Sequence, residues 1–377
     1  MRKAMFVCFV SALVVFTVGY VGSDEKGKSP KSAKEPELVC ADQGEVVRRE
    51  IEDNPPPEDW LVNFPKERIR ELVFVKELKR EHPDGEPFWP AYVQYVDGTL
   101  YVFDDNTYTI LQYNDDFEQK GPETDISIDS PDGHIFSMVI DENGNIILSG
   151  NRFIHFVGDQ YKRIRNNYDI RTCVAVNNKL YAYNYGRKVG TYEYAFNVYD
   201  YNLKYLGAEA VNPFTSELYR LMYAKHVCSG NTIYFTLNST VRIAAFNAAH
   251  GYPKAPVAVR TFSFEEEFKP YIDKKDEWAA QPPPPGAFPR KRQIVHQMCL
   301  LDGRLCILTG WRKENCIGEF NENGEMEHVY VTKISRGGAQ DLAARRHKNT
   351  IYFYMPITSR DGGTVHVYKY EVEKEGE

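Results

Sequence analysis

The sequence predicts an all-β fold, a six-bladed β-propeller in which a strand near the N-terminus completes the last blade. One observation behind this prediction is a turn-plus-strand unit that occurs six times, and a second is the high aromatic content, with 26 Tyr and 21 Phe. Each turn holds Asp, Asn or Gly, and residues suited to a half-buried strand follow it. The units are VDGTLYVF from Val96, ENGNIILS from Glu142, VNNKLYAY from Val176, SGNTIYFT from Ser229, LDGRLCIL from Leu301 and KNTIYFYM from Lys348. Repetition at intervals of tens of residues is typical of propellers and other repeat folds.

The first and fifth repeats show how a blade is built. In the first, we predict an inner strand, a second, a third and an outer strand, in the order AYVQYV, TLYVF, TILQYN and FEQKG (from Ala91, Thr99, Thr109 and Phe117). The fifth has the same order, with HQMCLL, RLCILTG, CIGEF and EMEHVYV (from His296, Arg304, Cys316 and Glu325). Four strands joined by short turns, with polar residues outermost, make one propeller blade.

The sixth repeat is incomplete, and this is the third observation. It ends with TVHVYKYEVE from Thr364, and no fourth strand follows it. The segment ELVFVKEL from Glu71 is strand-like but has no hairpin partner near it in the sequence. We therefore predict that this segment supplies the outer strand of the last blade, because such pairing closes the ring and removes two exposed edges.

The N-terminal segments are expected to lie outside the propeller. Arg2 and Lys3 precede an uncharged run that extends to Gly22, which predicts a signal peptide over residues 1–23; a membrane anchor is the alternative. Residues 24–59 are poor in apolar side chains and are predicted to be a flexible linker. The propeller would then span 60–377, with an insertion at 262–292 that begins with a short helix. The expected location is exported, either periplasmic or extracellular.

Charge and cysteine content restrict the possible partners. The net charge of −7 and the absence of a strongly basic region argue against nucleic-acid binding. The membrane is a partner only if the N-terminal segment stays uncleaved. Cys306 and Cys316 flank one hairpin loop, where they could face each other as a disulfide. The apolar surroundings of the other strand cysteines favour the second interpretation, that these thiols are buried and unpaired.

The six turn-plus-strand units resemble the six-bladed β-propeller superfamily, of the TolB-type or NHL-repeat-like kind found in exported bacterial proteins. The resemblance covers roughly residues 66–377. It is architectural and implies a fold without implying one activity. Propellers of this kind include lactone hydrolases and lyases that hold a metal in the central channel, which is the source of our alternative hypothesis.

In a propeller, the loops before the inner strands and those between the second and third strands share one face. On this face the sequence places an unexpected number of cations together with aromatic residues such as Phe88 and Trp89. Arg suits carboxylate or phosphate groups, and aromatic planes stack on sugar rings. The predicted ligand-binding residues are Arg152, Arg171, Arg187, Arg220, His296, Trp311, Arg312 and Asp341. The alternative is that these charges are only solvated.

The main hypothesis is an exported, non-catalytic propeller that serves as a binding or interaction module. Its candidate partners are an anionic or carbohydrate-like ligand, a glycan or a protein. The alternative is a metal-dependent hydrolase or lyase with a site in the central channel. His134, His226 and His296 fall on inner strands of different blades, but no two have the spacing of a metal-binding pair. We therefore assign no metal, no cofactor and no catalytic residue. Asp341 is a lone carboxylate, which more often braces loop amides than reacts.

Overall fold

A computed structural model of the chain is an all-β structure in which six sheets surround a central channel. It describes residues 61, 63–80, 85–126, 135–150, 153–157, 172–183, 188–189, 192–214, 224–248, 259–282, 293–311, 314–333, 339–359 and 362–372. The predicted signal peptide (1–23) and linker (24–59) lie outside the described residues. Within the described ranges, no helix combines the length and the apolar character needed to cross a membrane.

The first two described strands belong to blades 5 and 6, whose other strands come last in the sequence. A single 3₁₀ turn (Lys66–Arg68) leads into β1 (Ile69–Glu71) and then β2 (Val73–Leu78). β1 lies parallel to the last strand of the fifth blade, and β2 lies antiparallel to the last strand of the sixth. Leu72, between them, still donates its backbone N–H to Val331 O at 2.9 Å. The predicted ELVFVKEL strand is therefore divided at Leu72 between two blades.

The first two blades follow in chain order. Blade 1 is an antiparallel sheet of four strands: β3 (Pro90–Val96), β4 (Thr99–Asp104), β5 (Thr109–Tyr113) and β6 (Thr124–Asp125). Blade 2 has three strands within the described residues: β7 (Ile135–Ile140), β8 (Ile146–Gly150) and β9 (Phe153–Phe156).

Blades 3 and 4 extend the same pattern. The strands of blade 3 are β10 (Cys173–Val176), β11 (Lys179–Tyr183), the short β12 (Lys188–Val189), β13 (Tyr192–Asp200) and β14 (Tyr205–Val211). The strands of blade 4 are β15 (Ala224–Ser229), β16 (Thr232–Leu237), β17 (Arg242–Asn247) and β18 (Arg260–Ser263). In blades 1 to 4 the first strand in the chain is the innermost.

One α-helix interrupts the strands of the described chain before blade 5. This helix, α1 (Lys269–Ala280), is the short helix predicted at the start of the insertion. Blade 5 then contains β19 (Val295–Leu301), β20 (Arg304–Trp311), β21 (Glu314–Phe320) and β22 (Met326–Lys333). Blade 6 contains β23 (Ala343–His347), β24 (Thr350–Ser359) and β25 (Gly362–Glu371), with β2 as its fourth strand.

The inner strands form a closed ring. Each of β3, β7, β10, β15, β19 and β23 is a spatial neighbour of the next, and β23 is in turn a neighbour of β3. The buried apolar residues form six clusters, counted over the described residues, and each cluster lies between two adjacent blades. The predicted fold, an all-β six-bladed propeller whose last blade is completed from the N-terminal side, is therefore confirmed.

The turns that define the repeat adopt the backbone conformation that their residues favour. Asp97 and Gly98 have φ of 46° and 77°, and Asn177 and Asn178 have φ of 51° and 56°. Two consecutive left-handed residues make a type I′ turn, whose twist matches that of the adjoining strands. Gly, Asn and Asp tolerate these angles better than other residues, which explains why these residues mark the repeat.

The seam between the last and first blades is held by one buried guanidinium. Arg345 is 5% exposed and forms an ion pair with the Asp115 carboxylate, and its Nη2 donates to Asp115 O at 2.8 Å. Its guanidinium carbon also lies 4.7 Å from the ring centroid of Tyr352 and 5.3 Å from that of Tyr95. Stacking combined with paired hydrogen bonds is a geometry that Arg provides and Lys does not.

Four local predictions were wrong. The outer strand of blade 1 is β6, whereas we predicted it at FEQKG, where only Gln119 forms a bridge, with Tyr113. Residues 262 and 263 belong to β18 and not to the insertion, because they pair with β17. The loop between β20 and β21 is shorter than the predicted strands RLCILTG and CIGEF imply, because Trp311 pairs directly with Glu314. Phe88 is 5% exposed and packs in the core between blades 6 and 1, so it does not contribute to the loop face.

The cysteine prediction has a mixed outcome. Cys173, Cys228, Cys299, Cys306 and Cys316 are free thiols. Cys306 lies opposite Glu319, and Cys316 lies opposite Thr309, so the suggested Cys306–Cys316 contact is wrong. The physical reason is the short β20–β21 loop, which sets a register three residues away from the one that this contact requires.

Candidate functional site

The inner strands enclose a cavity on the axis of the ring, which we call the channel cavity. It has a volume of about 280 Å³ and is lined by residues of all six blades. Successive side chains of a strand point to opposite faces. Each inner strand therefore directs alternate residues toward one neighbouring blade and the residues between them toward the other neighbouring blade. The lining includes polar residues such as Gln94 and Gln297 as well as apolar ones such as Val93 and Met298.

A second cavity, the mouth cavity, lies at the end where the inner strands begin. Its volume is about 540 Å³. Residues at the starts of inner strands line it together with Asp105 and Asn238, which follow the second strands of blades 1 and 4. Tyr92, Phe136 and Lys225 belong to both cavities, so the mouth and the channel are continuous.

The wall of the mouth cavity has an aromatic side and an amide side. Blades 1 and 2 contribute Trp89, Tyr92 and Phe136, and Trp89 is 39% exposed. Blades 4, 5 and 6 contribute the side-chain amides Asn238, Gln293 and Gln340. Flat apolar rings opposite polar amides provide surfaces for both the faces and the hydroxyl groups of a ring-shaped polar ligand.

Three polar groups on blades 3 and 4 face this cavity without a partner among the residues that the structure describes. Thr172 is 7% exposed and Asn238 is 8% exposed, yet within the described ranges Thr172 Oγ1 and Asn238 Oδ1 have no hydrogen-bond partner. Lys225 Nζ forms no hydrogen bond or ion pair with the part of the chain that the structure describes. Leaving a buried polar atom unpaired costs about 1–3 kcal/mol. Native proteins normally satisfy such groups with protein, water or a ligand.

Lys225 lies at the junction of the two cavities. It is the second residue of β15, and its backbone pairs with Thr236 of β16. Burial lowers the pKa of Lys225, while the charge of Asp341 acts in the opposite direction. The site therefore holds a desolvated amine whose charged form would be stabilised by an anion placed in the mouth cavity.

Asp341 is 4% exposed and lines the channel cavity just before β23. Its Oδ2 accepts a hydrogen bond from Val93 N at 2.8 Å, and Leu342 N–H and the Gln297 side chain also donate to the carboxylate. These contacts connect blades 5, 6 and 1. Burial raises the pKa of Asp341 to about 6. Its contacts are those of a brace between blades.

His296 lines the mouth cavity and is held as a neutral imidazole. Its Nε2 lies 3.1 Å from Gly310 O and its Nδ1 lies 3.4 Å from Gln293 Nε2. Nε2 therefore donates to the carbonyl, and Nδ1 accepts from the amide. Burial, together with the nearby Lys275 and Lys225 charges, lowers the pKa of His296 to about 3. A histidine with both ring nitrogens engaged has no free lone pair for a metal.

His226 points between blades 3 and 4. Its ring lies edge-on to Phe196, with 6.2 Å between centroids, and burial lowers its pKa to about 4. It accordingly belongs to the core contact between two blades. Over the described residues, no group of three or more His, Cys, Asp or Glu side chains is placed to hold a metal ion.

The structure locates two of the eight predicted ligand-binding residues, His296 at the mouth and Asp341 in the channel. Trp311 ends β20, and its side chain is not described. The remaining predictions lie outside the described residues: Arg152, Arg171, Arg187, Arg220 and Arg312. His134, considered for a metal, also lies outside them.

Sequence reasoning missed Lys225, Thr172 and Asn238. The signal was present, because Thr172 and Lys225 stand at the starts of inner strands and Asn238 follows a second strand. Those are the positions from which the other candidates were chosen. The run YAKHVCSG around Lys225 does not by itself indicate a polar site, because the neighbouring His226 packs against Phe196 of blade 3.

The sequence matches no protein-family model and no curated protein. Among solved structures, the chain is similar to a candidate exported protein from Bacteroides fragilis NCTC 9343, with 11% identity and a TM-score of 0.47, over 81% of this chain and 99% of that one. It is also similar to a member of the DUF4221 family from Bacteroides vulgatus ATCC 8482, with 10% identity and a TM-score of 0.45, over 81% and 99% of the two chains. At these identities the similarity concerns the fold alone.

Proposed function

We propose that this protein is an exported, non-catalytic binding module that holds an acidic, carbohydrate-like ligand at the mouth of its central channel. The observation that carries the proposal is a set of polar groups on the mouth cavity that have no partner among the described residues: Lys225 Nζ, Thr172 Oγ1 and Asn238 Oδ1. They combine one cation, one hydroxyl and one acceptor. A carboxylate bearing hydroxyl groups complements all three.

The dimensions of the cavity support a small ligand. Its volume of about 540 Å³ lies within the range of small-molecule pockets, about 300–1,000 Å³. The aromatic side of the wall, with Trp89 and Tyr92, can stack against the apolar face of a sugar ring. Gln293 and Gln340 on the other side can donate to and accept from ring hydroxyls.

The charge arrangement favours an anion over a neutral sugar. The Lys225 ammonium has no direct counter-ion among the described residues, so a ligand carboxylate would restore the interaction that burial removes. Asp341 lies deeper, in the channel cavity, where it is already bonded to Val93 N. An anion is therefore expected at the mouth and not in the channel.

Export and membership of the TolB-type or NHL-repeat-like propellers are also part of the proposal. The N-terminal sequence has the pattern of a signal peptide, and a solved propeller with a similar fold is described as a candidate exported protein. The location would be periplasmic or extracellular. Expression of the full chain followed by N-terminal sequencing of the exported product would test cleavage after about residue 23.

Thermal shift with matched ligands tests the binding proposal. A uronic acid, the neutral sugar of the same ring and a sugar phosphate are compared with the parent protein and with Lys225→Met and Thr172→Val. We expect the uronic acid to raise the melting temperature of the parent, with a smaller effect of the neutral sugar. Lys225→Met should remove that difference between the two ligands.

The control is Lys204→Met, which removes an exposed lysine in the turn after β13. This variant should respond to the uronic acid as the parent does. If none of the ligands shifts the parent, or if Lys225→Met and Lys204→Met respond alike, the proposal is wrong. Elemental analysis of the same preparation addresses the alternative of a metal-dependent enzyme, which a stoichiometric metal would favour.

A further inference from the structure

Two free thiols face each other across the first hairpin of blade 5. Cys299 on β19 and Cys306 on β20 are directly paired in the antiparallel register, and both are reduced. Directly opposite residues of an antiparallel pair project from the same face of the sheet. Both residues accordingly belong to the apolar cluster between blades 5 and 6.

The register brings the two residues within disulfide range. Opposite residues in antiparallel strands have Cα atoms about 4.5 or 5.5 Å apart, depending on whether the pair exchanges backbone hydrogen bonds. Disulfides form when the Cα atoms are about 4.4–6.8 Å apart. The influence of the Cys299 side chain on the pKa of Cys306 agrees with this proximity.

The other described thiols have different surroundings. Cys316 faces the cluster between blades 4 and 5, on the opposite side of the blade 5 sheet. Cys173 packs between blades 2 and 3, and Cys228 Sγ lies 3.5 Å from Ala175 O. Among the cysteines that the structure describes, Cys299 and Cys306 are therefore the pair placed to bridge.

Access to the pair is from the channel. Cys299 is 7% exposed and lines the channel cavity, whereas Cys306 is completely buried. A small disulfide that enters through the mouth would reach Cys299 first. The interaction with Cys299 and burial raise the pKa of Cys306, so its thiolate is scarce near neutral pH and the reaction should be faster in mild base.

We propose that Cys299 and Cys306 are a dithiol–disulfide pair that forms a cross-strand disulfide by exchange with a small-molecule disulfide. The Cys299 thiolate, after losing its proton to solvent, attacks one sulfur of the external disulfide and releases one thiolate, which takes up a proton. The Cys306 thiolate then attacks Cys299 Sγ in the mixed disulfide and releases the second thiol. The two protein thiols are oxidised, and the external disulfide is reduced to two thiols.

The bond would attach the inner strand of blade 5 to its neighbour at the channel wall. Cys299 lies next to Met298, and both line the channel cavity with Gln297, which bonds to Asp341. Oxidation would therefore reduce the freedom of one segment of the channel wall without altering the strand pairing. The Lys225 side of the ring, in blade 4, keeps its own strand pairs.

Glutathione disulfide and the reduced full-length protein test the proposal. The protein is incubated at about pH 8, where thiolates are more abundant, and is then denatured, alkylated and analysed by peptide mass spectrometry. We expect a cross-linked Cys299–Cys306 peptide pair that is reversed by excess dithiothreitol. It should be absent from Cys299→Ser and Cys306→Ser, and present in the matched control Cys316→Ser.

Glutathione disulfide could reach the two cysteines of the folded protein only slowly. In a second arm, the reduced, unfolded protein therefore refolds in a mixture of reduced and oxidised glutathione. The native fold brings the two residues together in this arm as well. Full alkylation of both cysteines in both arms would overturn the proposal. So would a glutathione adduct that stays on Cys299, or pairing of Cys299 with Cys40.

Discussion

At the scale of single residues, burial near the channel determines which groups carry charge. His296 and His226 lie on inner strands and remain neutral, with pKa values lowered to about 3 and about 4. Asp341 is shifted in the opposite sense, to a pKa of about 6. In each case burial in the protein is the largest cause, because a low-dielectric environment disfavours the charged form.

The histidines predict a loss of stability in acid. Between about pH 6.5 and pH 4, an unfolded histidine binds a proton that the folded His296 and His226 do not bind, so the free energy of unfolding falls as pH falls. Each fully neutral histidine contributes about 1.4 kcal/mol per pH unit over this window. Below about pH 6, Asp341 has the opposite effect on the free energy of unfolding, because its carboxylate binds a proton at higher pH in the folded protein than in the unfolded protein. This effect offsets the loss of stability that one histidine causes.

His296→Gln tests this expectation, because its amide can still donate to Gly310 O but cannot titrate. The free energy of unfolding in urea is measured at about pH 7 and at about pH 5. The decrease between the two pH values should be smaller in the variant than in the parent by about 2 kcal/mol. His347→Gln, at an exposed position at the end of β23, is the control and should behave as the parent does. Equal acid dependence of all three proteins would contradict the assignment to His296.

At the scale of elements, helix α1 is attached to the propeller by one tyrosine and a small apolar face. Tyr271 is fully buried, and its hydroxyl donates to Ile294 O at 3.2 Å or Gly310 O at 3.0 Å and accepts from Gly310 N at 3.3 Å. Phe268 and Ile272 pack beside it in the cluster between blades 4 and 5. The helix thereby brings Lys275 near His296 at the mouth.

Tyr271→Phe should destabilise the protein by about 1–3 kcal/mol, because it leaves buried backbone groups of residues 294 and 310 with fewer partners. The free energy of unfolding in urea measures the loss. Tyr234→Phe is a matched control, since the Tyr234 hydroxyl forms no hydrogen bond with the described residues and its side chain packs against the same cluster. A loss of the same size in both variants would show that the hydroxyl of Tyr271 has no special role.

At the scale of the whole molecule, the ring is closed by a segment distant in sequence from the strand that it joins. β2 pairs with β25 from Val73↔Lys369 to Leu78↔Val365, while β1 pairs with β22 of the preceding blade. Arg80, just after β2, forms ion pairs with Asp104 and Glu123 of blade 1. The short segment 69–80 therefore connects blades 5, 6 and 1.

Deletion of residues 66–80 should remove most of the stability of the protein, because it exposes an edge of the last blade and breaks contacts in three blades. Thermal unfolding followed by circular dichroism measures the loss. Val73→Thr, which alters a residue that is 57% exposed and keeps the backbone pairing, is the control and should change the free energy of unfolding by about 0.5 kcal/mol or less. A truncated protein that melts at the parent's temperature would contradict the role of β2 in closure.

The sequence alone was sufficient for the architecture because the information for it is local. Asp97-Gly98 and Asn177-Asn178 favour left-handed turns wherever they occur, and the alternating residues beside them favour strands. The missing strand of the last blade could be inferred for the same reason, from one unpaired strand-like segment. Outer strands such as β6 were harder to place, since an exposed strand of two residues has almost no apolar pattern.

The tertiary structure decided which side chains meet. Cys306 faces Cys299 and not Cys316, because the lengths of two hairpin loops set the register of the strands. The predicted strand is divided at Leu72, because the residues on either side of Leu72 pair with different blades. Lys225 reaches the cavity while His226, the next residue, packs between blades. Alternation separates two such neighbours, but only closure of the ring determines which of them faces the mouth cavity. The sequence by itself therefore determined the propeller, and long-range packing determined the site.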